Sequence, residues 1–528
     1  FQLRLALPIS DINKSKVQGS VTLAGNELRI TPDTPALSRV RGAVQFSETG
    51  FSLSNVQAQA LGGNVRLEGG MRALAPNAPA TESAVQLRAQ GTATAEGLQQ
   101  TPQLGTLAQL ARRATGSTPY TLALAFRRGV PELQVSTTLQ GLALALPPPL
   151  GKPAESSLPL RFETQVARES LTGLATNGNG NNAPPLRDQI TLDLGALGSA
   201  TYLRDLSGPQ PRVLRGAIGL GLSGGESAPV PIQGVAANIS QGKVDVDAWE
   251  DVLTQATTAE PPARTAPAAT ATPSPSGAAM AQDYLPTTLA LRARELTLQG
   301  RTLHNVVAGA LRDGTTWRAN LDATELNGYL EYRQPGSTDH PNGRLFARLS
   351  RVNMPQSDVT QVEALLDEQP GTLPALDIVV DDFELRGKRL GRVEMEAQNR
   401  GGEGAQREWR LAKFNITAPE ASFTANGNWA VLNAAGAGPR AAERRTVLHF
   451  KPDISDSGDL LGRMGMANVV RRGKGRMEGQ VAWIGAPFSP DYRSMTGQIN
   501  LNIESGQFLK ADPGLAKLLG VLSLQALG

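Results

Sequence analysis

Apolar and polar residues alternate with a period of two along most of the chain. Phe1, Leu3, Leu5 and Leu7 open it, and the spacing returns at Val21–Leu23, Val44–Phe46, Phe51–Leu53, Val65–Leu67, Leu122–Leu124–Phe126 and Leu133–Val135. It continues at Leu142–Leu144–Leu146, Ile190–Leu192–Leu194, Ile218–Leu220–Leu222, Leu289–Leu291, Leu376–Ile378–Val380 and Ile499–Leu501–Ile503. Successive side chains of a strand point to opposite faces, so this period predicts strands with one apolar face. Short turns bearing Gly or Pro, such as Ser47–Gly50 and Arg127–Pro131, separate many of them and predict a long antiparallel meander. Helical spacing is confined to four stretches. These are Thr94–Ala114, a short helix capped by Asp247 and holding Trp249, Val252 and Leu253, Ser455–Met466, and a last helix from Pro513 through Leu522. The Asn/Gly-rich 173–185 and the Ala/Pro/Thr-rich 256–282 read as flexible loops, since neither can bury enough apolar surface to order itself.

A unit of this pattern repeats. Leu296–Leu303 with Val306 matches Phe383–Leu390 with Val393, each copy being two strands around a Gly-basic turn. A Trp-Arg strand follows in both, at Trp317 and at Trp409, which places the repeated β unit at 293–325 and 380–417. Units that touch only their neighbours build elongated molecules. The expected organisation is one continuous elongated β-groove over 1–528, with a distinct C-terminal segment at 446–528.

A sheet with one apolar face must cover it, by a second sheet, helices, or its own curl. The helices are too few. About 25–30 strands at ~4.8 Å each would make a sheet ~120–145 Å long. The fold class expected is therefore mostly β: a long, curled antiparallel sheet forming an elongated trough, with a few short helices. Composition sharpens this. Aromatics are only 4% and Gly reaches 56 of 528 residues, so the apolar face is walled mostly by small and aliphatic side chains that leave room inside. Acyl chains are the obvious guest. A self-packed sandwich or solenoid would use the same residues as a dry core, and periodicity alone leaves both open. In the trough, the lining candidates are Leu23, Phe46, Leu53, Leu67, Leu124, Phe126, Val135, Leu142, Leu144, Leu146, Leu192, Leu220, Leu291 and Leu298. Ile378, Val380, Leu385, Val393, Leu501 and Ile503 continue the set.

Enzyme and metal chemistry find little support. With no Cys, there are no disulfides, thiolate metal sites or Cys nucleophiles, and three His leave little for imidazole chemistry. No catalytic residue, metal or cofactor is expected. Gly219–Gly224 spells a dinucleotide motif and Gly221–Gly225 a hydrolase elbow, but Glu226–Pro231 is no helix start. Asp245, Asp247, Glu250 and Asp251 lack calcium-loop spacing and read as caps. His304 reads as an exposed turn residue, because its counterpart in the second repeat is Gly391. A net charge of +3 gives no footprint for nucleic acid. Arg471, Arg472, Lys474 and Arg476 form the one tight basic cluster, a candidate for lipid head groups and otherwise a solvated hairpin tip.

Three segments carry a resemblance: Gln140–Ala154 (QGLALALPPPLGKPA), Leu376–Val393 with Trp409-Arg410 downstream, and Gly506–Gly514 running into Leu518–Leu527 (LLGVLSLQAL). They are similar to the YhdP branch of the AsmA-like proteins, relatives of TamB in Gram-negative envelopes. The resemblance implies a periplasmic protein anchored in the inner membrane, whose curled sheet carries phospholipid toward the outer membrane and supports its barrier. It also implies an N-terminal membrane anchor that is not in this sequence, and both ends read as cut from a longer protein. The partners it implies are phospholipids, the inner membrane, and a protein of the inner or outer membrane. The alternative it leaves open is an assembly factor pairing edge to edge with an outer-membrane β-barrel. No catalytic residues carry over.

Overall fold

A computed structural model describes residues 1–6, 16–29, 34–72, 83–127, 129–172, 185–223, 228–258, 283–336, 341–354, 373–400, 408–431, 444–487 and 491–509. The helix expected from Pro513, most of both expected loops (173–184 and 259–282) and the end of the 446–528 segment lie outside these residues. The fold is the mostly β, curled sheet that the alternation predicts, with only short helices beside it. It divides into two units, Phe1–Gln299 and Gly300–Gly528.

The first unit begins with β1 (Gln2–Ala6), β2 (Lys16–Leu28), β3 (Leu37–Ser47), β4 (Gly50–Ala60) and β5 (Gly63–Met71). β6 (Val85–Thr94), β7 (Ala114–Arg127) and β8 (Val130–Thr137) extend the ladder, each antiparallel to the one before. β9 (Leu142–Leu144) turns back onto the start of β7, so β10 (Leu160–Val166) pairs with β8 instead. β11 (Arg187–Asp193), β12 (Gly198–Asp205) and β13 (Arg212–Leu220) follow antiparallel. β14 (Gly234–Asp245) and β15 (Thr288–Leu298) then join in parallel. A parallel step needs a crossover of about a dozen residues or more, and 221–233 and 246–287 supply it.

In the second unit β16 (Arg301–Asp313), β17 (Thr316–Asp322), β18 (Leu326–Arg333) and β19 (Arg344–Met354) form an antiparallel run. β20 (Ala375–Leu385) adds in parallel across the long connection 355–374. β21 (Lys388–Arg400), β22 (Glu408–Ala418), β23 (Ala421–Val431), β24 (Arg444–Ile454), β25 (Val470–Ile484) and β26 (Thr496–Phe508) complete an antiparallel meander. The expectation of antiparallel pairing thus holds except at three long crossovers. Among the described residues no pairing joins the first strand of either ladder to its last, so neither closes into a barrel.

Bulges bend the ladders. Register shifts fall at neighbouring positions in β2–β3, β3–β4 and β4–β5, and an extra residue on one strand kinks it and increases its twist. The apolar side chains folded inward there, Val40, Val56, Ala58, Val65, Leu67 and Ala89, are buried in one cluster. Helices reveal the curl more directly. Thr94–Ala114 is not one helix, because Pro102 and the positive φ of Gly105 break it into α1 (Ala95–Gln99), α2 (Thr106–Leu110) and two 3₁₀ turns. Another short helix, α3, spans Arg168–Thr172, and α4 spans Val246–Thr258 after β14. Arg113 Nη2 donates to Gln255 Oε1 at 2.7 Å, and Trp249 Nε1 to the Pro148 carbonyl at 2.9 Å. β7 and β14 are six ladder steps apart, ~29 Å along a flat sheet. The segments flanking those strands, the turn before β7, the stretch after β9 and α4 after β14, nevertheless meet, as a curled sheet allows.

Two details correct the sequence reading locally. Asp245, not Asp247, caps α4, its Oδ1 accepting from Ala248 N at 3.0 Å, while Asp247 Oδ1 accepts from Gln299 N at 2.6 Å. An aspartate three residues before the accepted N–H reaches the first turn, and one inside the helix is free to reach elsewhere. His304 lies inside β16 rather than in a turn, with Nδ1 at 2.6 Å from Glu325 Oε1. The repeat's turns agree in detail. Gln299-Gly300 and Arg386-Gly387 both adopt positive φ at each residue (50° and 71°; 52° and 72°), the two-residue hairpin geometry that Gly permits.

Candidate functional site: the apolar face

Cross-strand partners lie on the same face, so the pairing register traces each face through the sheet. In the first unit one row runs Leu67, Ala89, Leu122, Val135, Phe162, Leu192, Ala200, Ile218, Ala237, Leu289 across β5 to β15. A parallel row joins Val21, Val44, Leu53, Gly69, Leu87, Leu124 and Leu133. In the second unit Ala310, Ala319, Leu330, Ala347, Ile378, Met395, Phe414, Ala425, Phe450, Gly479 and Ile499 form one row from β16 to β26. None of these rows contains an ionisable side chain. Large and small members alternate along much of their length, which leaves a corrugated wall.

The opposite face carries most of the charge, with Phe346, Val379 and the exposed Leu311 set among its polar residues. In the second unit Asp377 pairs with Arg344 and Arg348 at 3.2 and 2.8 Å, and Glu394 with Arg392 and Lys413 at 3.0 and 2.6 Å. Those two cations hold the Glu394 carboxyl below its ordinary range, and Glu394 raises Lys413 in return. Two hollows of ≈ 580 and ≈ 780 Å³ are lined mainly from this polar side, one around His449, Lys451 and Gln480, the other around Arg88, Glu132 and Gln134. Within each unit the apolar rows run along the sheet as a strip.

The structure gathers most of the predicted lining. Leu53 and Leu124 share one row, Leu67, Val135 and Leu192 another, and Leu220 and Leu291 join through Ile239. Leu23, Phe46 and Phe126 sit on the same face opposite Gly42, Phe51 and Pro131. Ile378 lies in the long row of the second unit, with Val380 and Val393 paired beside it. Leu385 pairs with Met354, and Leu501 and Ile503, 54% and 63% exposed, pair with Met477 and Gly475. Leu142 and Leu144 stand elsewhere: β9 packs them against Ala95 and Ala114 in a local cluster, and Leu146 follows beyond that strand. Leu298 is 44% exposed at the end of β15. Sequence reasoning missed Phe162, Met395, Phe414 and Phe450, and the alanines between them. The bulge between Leu411 and Phe414 shifts the parity that alternation relies on.

One end of the second unit's face is sealed. Trp409, Trp429, Thr446 and Trp483 stand in register across β22 to β25, with 1%, 1%, 3% and 5% exposure. Trp483 Nε1 donates to the Ala486 carbonyl at 2.9 Å, and the Arg444 guanidinium lies 5.5 Å from the Trp429 ring centre. At the other end of these strands the loop between β24 and β25 carries α5 (Ser457–Arg463). Arg463 is gripped by Glu420, a buried carboxylate whose ionised form those hydrogen bonds favour, so its pKa is lowered. A depressed folded-state pKa contributes stability that is present above the unfolded value of about 4.3 and lost as pH falls through the folded value. Acid titration of the unaltered chain should therefore destabilise it below about pH 4, and Glu420→Gln should flatten part of that slope. Unchanged acid slopes in urea midpoints would remove Glu420 from the account.

The basic cluster is not at a hairpin tip. Arg471, Arg472, Lys474 and Arg476 lie within the bulged first part of β25. Lys474 pairs with Glu504 at 3.1 Å and Arg476 with Asp453 at 2.9 Å, while Arg471 and Arg472 are exposed without an ion pair among the described residues. Among those residues no group of three His, Asp or Glu could hold a metal ion, and no helix is long and apolar enough to cross a membrane. No curated protein and no solved structure matches the chain. A family model does, that of the YhdP protein, over residues 1–528. That match spans the whole chain, and the chain belongs to the YhdP family.

Proposed function

We propose that the chain carries phospholipid along its apolar face, in the Gram-negative periplasm between inner and outer membrane. The observation that supports this is the charge-free row maintained from strand to strand within each unit, next to a polar face rich in ion pairs. A dry core would concentrate its largest side chains. This face instead alternates large residues with Ala and Gly and leaves many of them half-buried, which suits a mobile guest. Acyl tails lie against the rows and head groups stay in water. A wall of similar aliphatic side chains along each row offers an acyl chain many equivalent positions and no anchoring charge. The rows traced through the described strands carry no ionisable side chain, which suits a path for acyl chains.

Solvent extraction of the purified chain, followed by mass spectrometry, tests the proposal. Copurifying phospholipid is expected. A chain that emerges lipid-free from membranes, while forming a defined complex with a β-barrel protein, would favour an assembly role instead.

A further inference from the structure

The loop between β24 and β25 is built to be rigid. Asp456 Oδ1 accepts from the N–H of Gly458 and Asp459 at 2.9 and 3.1 Å, Ser457 Oγ donates to the Arg472 carbonyl at 2.8 Å, and Met466 N to the Leu461 carbonyl at 2.7 Å. The Glu420–Arg463 pair fixes the far end of α5. This braced loop nevertheless offers Met464 and Met466 to solvent, 37% and 45% exposed, on either side of Gly465. An unstructured loop could fold such side chains away; this one cannot.

One cation lies against this loop and two more follow it along the chain. The Lys388 ammonium lies against Gly465 from the β20–β21 turn, and the exposed Arg471 and Arg472 follow at the start of β25 without an ion pair among the described residues. The loop's own carboxylates are Asp456, engaged in the cap, and Asp459. Apolar tips on a loop flanked by cations that have no ion pair among the described residues complement one surface in particular, where hydrocarbon lies just beneath phosphate. We propose that this loop docks on an anionic lipid surface, Met464 and Met466 entering the headgroup boundary while Lys388, Arg471 and Arg472 meet lipid phosphates.

This docking does not depend on lipid passage along the apolar face, and the test separates them. The full chain is floated with vesicles of phosphatidylcholine alone or with phosphatidylglycerol added. Binding should require the anionic lipid and weaken with salt. Arg471→Gln with Arg472→Gln should weaken it roughly 25-fold, about fivefold per cation, and Met464→Gln with Met466→Gln should abolish what survives high salt. Ile378→Asp, aimed at the apolar face, should bind vesicles as the unaltered chain does. Met464→Trp should blue-shift its emission on anionic vesicles. Failure of the unaltered chain to float, equal flotation of both double variants, or no blue shift would each overturn the proposal.

Discussion

On the proposed transport path, Ile378→Asp should stop lipid from moving past that point. Ile378 stands in the middle of the second unit's charge-free row, between Ala347 and Met395, and is half-buried. An acyl chain crossing that point must cover the new carboxylate with hydrocarbon. Burying an unpaired charge costs several kcal/mol, and each 1.36 kcal/mol slows a step tenfold, so passage should fall by roughly 100-fold or more. Aspartate is the right probe because it is too short to lift its charge to the rim, as a lysine could. Leu192→Asp makes the same barrier in the first unit, between Phe162 and Ala200. Thr191→Lys, on the polar face beside Glu163, is the control and should change little. On the proposed role, cells whose only copy of the protein carries Ile378→Asp should lose outer-membrane barrier function. Lipid crosslinked at positions beyond the block should disappear as well. Full barrier function with Ile378→Asp, in a chain shown to fold, would remove the apolar face from the mechanism.

Leu144 looks equally suitable from sequence, and it is the wrong residue for this test. Alternation is blind to which sheet a strand joins. β9 carries the right pattern but packs beside α1, so a charge at Leu144 would disturb a local core rather than a path. The strands, their apolar face and the repeat's turns were legible because each depends on neighbours one or two residues away. Bulges and long crossovers were not. Phe414 changes parity through a bulge set by its partner strand, and the parallel steps at β14, β15 and β20 depend on where a distant connection lands. The helical stretch at 94–114 broke at Pro102 and Gly105, both visible in the sequence. Arg471 and Arg472 were singled out for charge, yet their setting comes from methionines and a capped helix whose exposure no periodicity reports.

The sealed end of the face has its own test. Trp429→Ala should destabilise the second unit by about 3–5 kcal/mol, the usual cost of emptying a fully buried Trp site, and Trp409→Ala by a similar amount. Both indoles are 1% exposed and pack across the β22–β23 pairing, so neither cavity can drain to solvent. Trp317 occupies the matching place in the first repeat and is only half-buried, so Trp317→Ala should cost less. Phenylalanine separates volume from hydrogen bonding. Among the described residues neither Trp409 Nε1 nor Trp429 Nε1 has a hydrogen-bond partner, so Trp429→Phe removes an unsatisfied donor while keeping much of the ring, and should fall well short of the alanine cost. Urea midpoints followed by circular dichroism measure all four variants. If Trp429→Ala unfolds where the unaltered chain does, the row is no core. If it unfolds early yet the folded variant still carries lipid, the row closes one end of the face without forming part of the path. That second outcome is expected, since the indoles leave no room for a guest and the charge-free row runs beside them from β16 to β26.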